Sequence, residues 1–139
     1  MESFWKVEFF VDTDGVMPVR DYLTQLELGE LKRFQVAVER LSQQGLMLGS
    51  PYSDKIDANL YELRLANSPH NSRFLYCAVI GRSLFLLHGF SKTGAKTDKV
   101  PASEIRVAKK RREVLLQIFL PDKTTQKQVS KPKPKKVKR

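Results

Sequence analysis

Residues 60–90, LYELRLANSPHNSRFLYCAVIGRSLFLLHGF, hold three β-rich runs, Leu60 to Leu65, Arg73 to Ile80 and Ser83 to Phe90. Two turn signals separate them, Asn67-Ser68-Pro69 and a second centred on Gly81, and both read as hairpin connections. Upstream, Gly49-Ser50-Pro51 opens a loop, and before it the apolar period changes to that of helices. A helix is expected from about Glu30 to Gln44, with Leu31, Phe34, Val38 and Leu41 on one face and Gly45 as its left-handed terminator. An earlier helix starts at Pro18, carries Val19, Tyr22, Leu23 and Leu26 at helical spacing, and stops at Gly29. The two helices are expected to form a short antiparallel hairpin. Trp5-Lys6-Val7-Glu8-Phe9 alternates apolar and charged residues as a half-exposed strand does, and Asp12-Thr13-Asp14-Gly15 is a turn. Downstream, Ser103 is the expected N-cap of a last helix whose Ile105, Ala108, Leu115 and Leu116 face inward. The resulting order, β–α–α–β–β–β–α, is a small α+β domain with a mostly antiparallel sheet.

Composition limits what such a domain can be. A chain of 139 residues has room for one core, here expected over residues 1–120. Residues 121–139 are rich in Lys and Pro, cannot bury apolar surface, and are expected to be a disordered basic tail. The single cysteine, Cys77, excludes an intramolecular disulfide and any Cys-based zinc site. It reads as a buried strand thiol. No run approaches the ~20 apolar residues that span a bilayer, and the N-terminus is unlike a signal peptide. A soluble, cytoplasmic protein is expected.

The formal charge of +10 is unevenly distributed. The tail carries +7, residues 1–63 carry −5, and residues 64–112 carry +9. A body polarised in this way offers one face to a polyanion.

Three segments carry a family resemblance: Leu60-Tyr61-Glu62-Leu63-Arg64, Arg73-Phe74-Leu75-Tyr76, and Leu86-Leu87-His88-Gly89-Phe90-Ser91-Lys92. In that order they resemble the HigB-like branch of the RelE/ParE toxin superfamily, the phage-derived toxins of type II toxin–antitoxin systems. The resemblance runs from about Trp5 to Leu116. It departs from the family after Lys92, where Thr93 stands in place of a second lysine and three residues, Asp98-Lys99-Val100, separate Lys96-Thr97 from Pro101. The resemblance implies a RelE-like fold and a toxin that cuts messenger RNA on the ribosome. It also implies a cognate antitoxin, often a helix-turn-helix protein.

The implied reaction is attack of a ribose 2′-hydroxyl on the adjacent phosphate, which needs a proton acceptor, a proton donor and positive charge, but no metal and no cofactor. No acidic cluster or His pair at ligand spacing lies in the basic half. Arg73 is the first candidate, a guanidinium that opens a strand and can clamp the scissile phosphate. Arg64 closes the preceding strand toward the same groove, and for both the alternative is a sheet-edge ion pair. Lys92 and Lys96 follow the last strand, where neighbouring cations can turn a lysine into a base; the alternative is a solvated loop. Tyr61 and Tyr76 are candidates to stack on bases or simply to pack. On the last helix Arg106, Lys109, Lys110 and Arg112 are expected to touch the RNA backbone. His88 reads as a hydrogen-bonded core histidine and His70 as exposed. Two other readings remain open: a gyrase poison of the ParE type, and an RNA- or DNA-binding accessory protein without turnover.

Overall fold

The computed structural model describes residues 4–92 and 99–119. Five strands form one sheet: β1 (Lys6–Phe9), β2 (Ser53–Asp57), β3 (Leu60–Arg64), β4 (Ser72–Val79) and β5 (Ser83–Ser91). Three helices accompany them, α1 (Pro18–Leu23), α2 (Leu28–Gln44) and α3 (Ala102–Phe119), with a short 3₁₀ turn over Gly45–Met47. The spatial order is β1-β5-β4-β3-β2. β2 to β5 form an antiparallel meander, and β1 joins β5 in parallel.

The α+β class and the mostly antiparallel sheet are as the sequence suggests, but four details differ. The strand β2 is unannounced, because Ser-Asp-Lys-Ile-Asp has one apolar residue in five. It is an edge strand, where charge is a protection against further pairing and leaves no alternating apolar signal. Helix α1 ends at Leu23, where the Thr24 hydroxyl donates to the Asp21 carbonyl at 2.7 Å. Gly29 therefore lies inside α2, whose first turn is closed by Glu30 and Leu31 N–H groups on the Glu27 carbonyl. Ser103 likewise lies inside α3, and the Glu104 and Ile105 N–H groups bond the carbonyl of Pro101. Gly45 does end α2 with a φ of 57°, yet its ψ of −135° is outside the left-handed helical well. Its lack of a side chain matters more, since a Cβ there would come within 2.1 Å of the Trp5 indole.

The sheet is covered on both faces. Leu75, Cys77, Phe85 and Leu87 pack with Ala108 and Leu115 of α3. Phe74, Tyr76, Leu84 and Leu86 pack with Val19 of α1 and with Ala37 and Leu41 of α2. Central β4 is consequently buried on both sides, and the Cys77 thiol is pushed up to about 12 by that burial. A bulge at Leu87, between the Leu75–His88 and Tyr76–Leu86 pairs, returns His88 to the α3 side. Gly89 faces the other way, and a Cβ on it would stand 2.9 Å from both Phe74 and Tyr22.

No helix among the described residues is long and apolar enough to cross a membrane. The expected basic tail at 121–139 lies outside the described residues.

Candidate functional site

Alternate residues of a strand share a face. Leu60 and Leu75 belong to the α3-side core, so Glu62, Arg64 and Arg73 share that side. Arg64 and Arg73 are direct partners in the β3–β4 pairing. Like charges so placed repel, and Glu62 offsets this by lying between them. Its Oε2 is 2.5 Å from Arg73 Nη1 and its Oε1 is 3.3 Å from Arg64 Nη2.

Each arginine has a second anchor. Arg73 donates through Nε and Nη2 to Asn71 Oδ1, at 3.1 and 2.9 Å. Three of its N–H donors are thus engaged, and a guanidinium has five. Arg64 donates through Nη1 to the Pro51 carbonyl at 3.0 Å and through Nη2 to the Asp54 carboxylate. Arg73 is only 6% exposed, whereas the Arg64 and Asp54 side chains are 26% and 44% exposed. Arg64 and Glu62 of β3 line a cleft of about 430 Å³ together with Asp54, Lys55 and Ile56 of β2 and Lys99, Val100 and Ile105 leading into α3, and Arg73 stands behind them, bonded to Glu62.

The loop before Arg73 is fixed from the opposite face. Glu30, fully buried in the first turn of α2, accepts hydrogen bonds from the hydroxyls of Ser68 and Ser72, the latter at 2.7 Å. Because Ser72 gives its proton to Glu30, the Tyr22 hydroxyl donates to Ser72 Oγ, 3.1 Å away. His70, exposed as expected, meets Glu27 at 3.1 Å. Asn71, which orients Arg73, sits inside this fastening and also takes the Lys92 N–H on its carbonyl at 3.1 Å. Lys92 therefore lies at the same end of the sheet as both arginines, with its side chain buried.

The family model described as phage-derived protein Gp49-like (DUF891) matches residues 21–113. That span runs from α1 into α3 and takes in every cleft residue named above. The chain belongs to this family. The Gp49-like family is toxin-like, of toxin–antitoxin systems, so an antitoxin is the partner it suggests. No curated protein matches the chain.

In this Gp49-like chain several expected RNA contacts lie elsewhere. Tyr61 and Tyr76 stack on each other at 5.3 Å on the α2 side, with the sheet between them and the arginines. Tyr76 is 1% exposed and bonded to Ser53 Oγ at 2.6 Å, and burial raises its hydroxyl to about 12. Packed there, Tyr76 presents no ring face to a base, which is the packing alternative. The basic face of α3 is divided. Lys109 pairs with Asp57 at 2.5 Å and Arg112 donates to the carbonyls of Ala58 and Asn59, so both hold the β2–β3 turn. The Lys109 contact also holds the Asp57 carboxyl below its ordinary value. Only Arg106 and Lys110 of the four are exposed. Lys96 and Thr93 lie outside the described residues.

His88 is a half-buried, hydrogen-bonded residue, as the sequence suggests. Its Nε2 is 2.5 Å from Glu104 and its Nδ1 is 3.2 Å from Arg111, which also donates to the Leu87 carbonyl at 2.9 Å. A guanidinium can only donate, so Nδ1 accepts and the ring proton sits on Nε2. Burial lowers the His88 pKa against the opposing pull of Glu104.

Sequence reasoning missed Glu62, Asp54, Asn71 and Glu30. For Glu62 a signal existed: it stands at an inward position between Leu60 and Arg64. Asp54 was hidden with its strand. Asn71 and Glu30 act through tertiary contacts that have no local pattern.

Proposed function

We propose that the protein is the toxin of a toxin–antitoxin pair and acts as a metal-independent endoribonuclease, cutting messenger RNA on the ribosome. One observation carries this reading: two arginines pair on one sheet face and share Glu62, with Arg64 and Glu62 lining a cleft and Arg73 just behind them, each arginine held in place by protein groups. Preorganised cations of this kind stabilise charge that develops in a transition state without reorganising first. Arg73, two of whose N–H donors have no partner among the described residues, takes a non-bridging oxygen of the scissile phosphate, and Arg64 supports it from the cleft side. The 2′-hydroxyl attacks phosphorus and loses its proton, the bond to O5′ breaks, and O5′ takes up a proton. A cyclic phosphate and a 5′-hydroxyl are left. We assign the proton transfers to Lys92 and Lys96, following the resemblance, and to Asp54, the exposed carboxylate at the cleft border. The ribosome orients the message, which lowers the demand on the acid and base.

Sequencing of messenger 5′ ends after induction tests the reading. New ends within coding regions are expected with the wild type, and Arg73→Ala is expected to cut about 10²–10³-fold more slowly, the loss typical of one transition-state donor. Arg73→Lys is expected to recover little, because a point charge does not replace a planar fork. Growth arrest without new ends would instead indicate a non-cutting relative such as a gyrase poison. Purified ribosomes with and without the protein establish whether cutting needs them.

A further inference from the structure

The acidic half of the chain contains a basic groove. Lys32, Arg33, Val36 and Arg40 of α2 line a groove of about 250 Å³ against Ala66 and Asn67, the residues just after β3. Helix geometry sets Lys32 and Arg40 about 12 Å apart along the axis. Among the described residues neither has an acidic partner. Glu30, a carboxylate of the same helix, is fully buried, is taken by Ser68 and Ser72, and stands 3.6 Å from Arg33. In contrast, Arg64 and Arg73 share Glu62, and Lys109 on α3 is neutralised by Asp57. Two of the chain's uncompensated cations thus occur together in the segment whose net charge is −5.

The groove and the cleft are joined. Arg40 lies over the Tyr52 ring, with its Cζ 3.8 Å from the centroid. The Tyr52 carbonyl accepts the Arg64 N–H at 2.9 Å and the Pro51 carbonyl accepts Arg64 Nη1 at 3.0 Å. A single short segment, Pro51-Tyr52, is therefore shared by the cation of the cleft and a cation of the groove. Tyr52 is half-buried, so part of its surface is open to solvent.

We infer that the α2 groove binds the sugar–phosphate backbone of single-stranded RNA flanking the cut site, with Lys32 and Arg40 on phosphates and the Arg40–Tyr52 pair as a platform for a base. A cationic track beside an aromatic ring is how single strands are held without sequence preference. Phosphates suit the groove because, among the described residues, Lys32 and Arg40 have no acidic partner. The inference rests on the cleavage reading for what lies in the cleft, but its own test is a binding measurement.

The test measures binding of a labelled oligouridylate about 12 nucleotides long, within the range that single-strand grooves cover, to the full chain over a series of salt concentrations. Two lost single-strand contacts, at about 0.7 each, are expected to reduce the log–log salt slope of the Lys32→Ala/Arg40→Ala variant by about 1.4. Lys32→Ala alone, an exposed position that cannot disturb packing, is expected to remove half of that. Arg40→Lys is expected to keep the slope while weakening binding at every salt concentration. Unchanged slopes in both alanine variants overturn the inference. So does retention of RNA binding with loss of affinity for an acidic peptide such as oligoglutamate, which would make the groove a protein site. Cleavage of ribosome-bound message by the same proteins is scored separately. If Arg73→Ala abolishes cutting while Lys32→Ala/Arg40→Ala keeps the wild-type slope, the groove proposal falls and the nuclease stands. If the wild type never cuts but the double variant loses slope, the reverse holds.

Discussion

Glu62, which bridges Arg64 and Arg73, makes them tolerable as neighbours, with Asp54 as a second carboxylate on Arg64. The Glu62 and Arg73 side chains are 3% and 8% exposed, so neither charge is hydrated in compensation if the other is removed. Breaking a buried pair from one side costs about 3–5 kcal/mol, and that is the loss expected for Glu62→Ala in urea unfolding. Glu62→Met combined with Arg73→Met removes both charges and is expected to regain most of that stability while abolishing cutting. If Glu62→Ala unfolds at the wild-type urea midpoint, the carboxylate is not what holds Arg73. At this scale the sequence was partly legible. The pairing of Arg64 with Arg73 follows from their positions at the end of β3 and the start of β4. Alternation along β3 and β4 sends Tyr61 and Tyr76 to the opposite face from the arginines, where they pack. That alternation was already present in the residue order.

Between elements, the contact of β5 with α3 has its own signature. The bulge at Leu87 turns His88 toward Glu104 and Arg111, joining strand and helix through a neutral ring. Burial depresses the His88 pKa below its ordinary 6.5, the Glu104 carboxylate opposes the shift, and the Arg111 cation adds to it. The unfolded chain takes up the proton first as the pH falls, so it is favoured. Stability contributed by His88 is therefore intact above pH 6.5 and lost as the pH drops through the depressed folded value. His88→Gln is expected to flatten that dependence, read as the urea midpoint on either side of pH 6.5, and a slope unchanged by the substitution would assign the effect to another group. Elements with an apolar period were legible from the residues: the strands β3, β4 and β5, and the body of α2 and α3. Elements held by tertiary contacts were not. The polar strand β2 exists because β3 offers it an edge, and α1 stops at Leu23 despite Leu26 at helical spacing.

For the molecule as a whole, charge is distributed so that structure and attraction use different cations. Within the described residues, Arg64, Arg73, Lys109 and Arg112 are bound to carboxylates or carbonyls of the fold, while Lys32, Arg40, Arg106 and Lys110 have no acidic partner. The remaining large source of charge is residues 121–139, which carry +7 of the total +10. Charge of that kind acts through counterion release, weakens steeply with salt, and favours encounter over chemistry. Deletion of residues 121–139 is therefore expected to lower ribosome association most at low salt and little at high salt, with each lost phosphate contact reducing the log–log slope by about 0.7–0.9. On the proposed reading, cutting at saturating ribosome concentration is expected to be unchanged, because Arg64, Arg73 and the groups that hold them lie within residues 51–73. Ribosome cosedimentation across a salt series, with messenger-end mapping of the same samples, separates the two effects. A truncated chain that binds normally but cuts slowly would move part of the chemistry into the tail, and the division between holding and attracting cations would then be wrong.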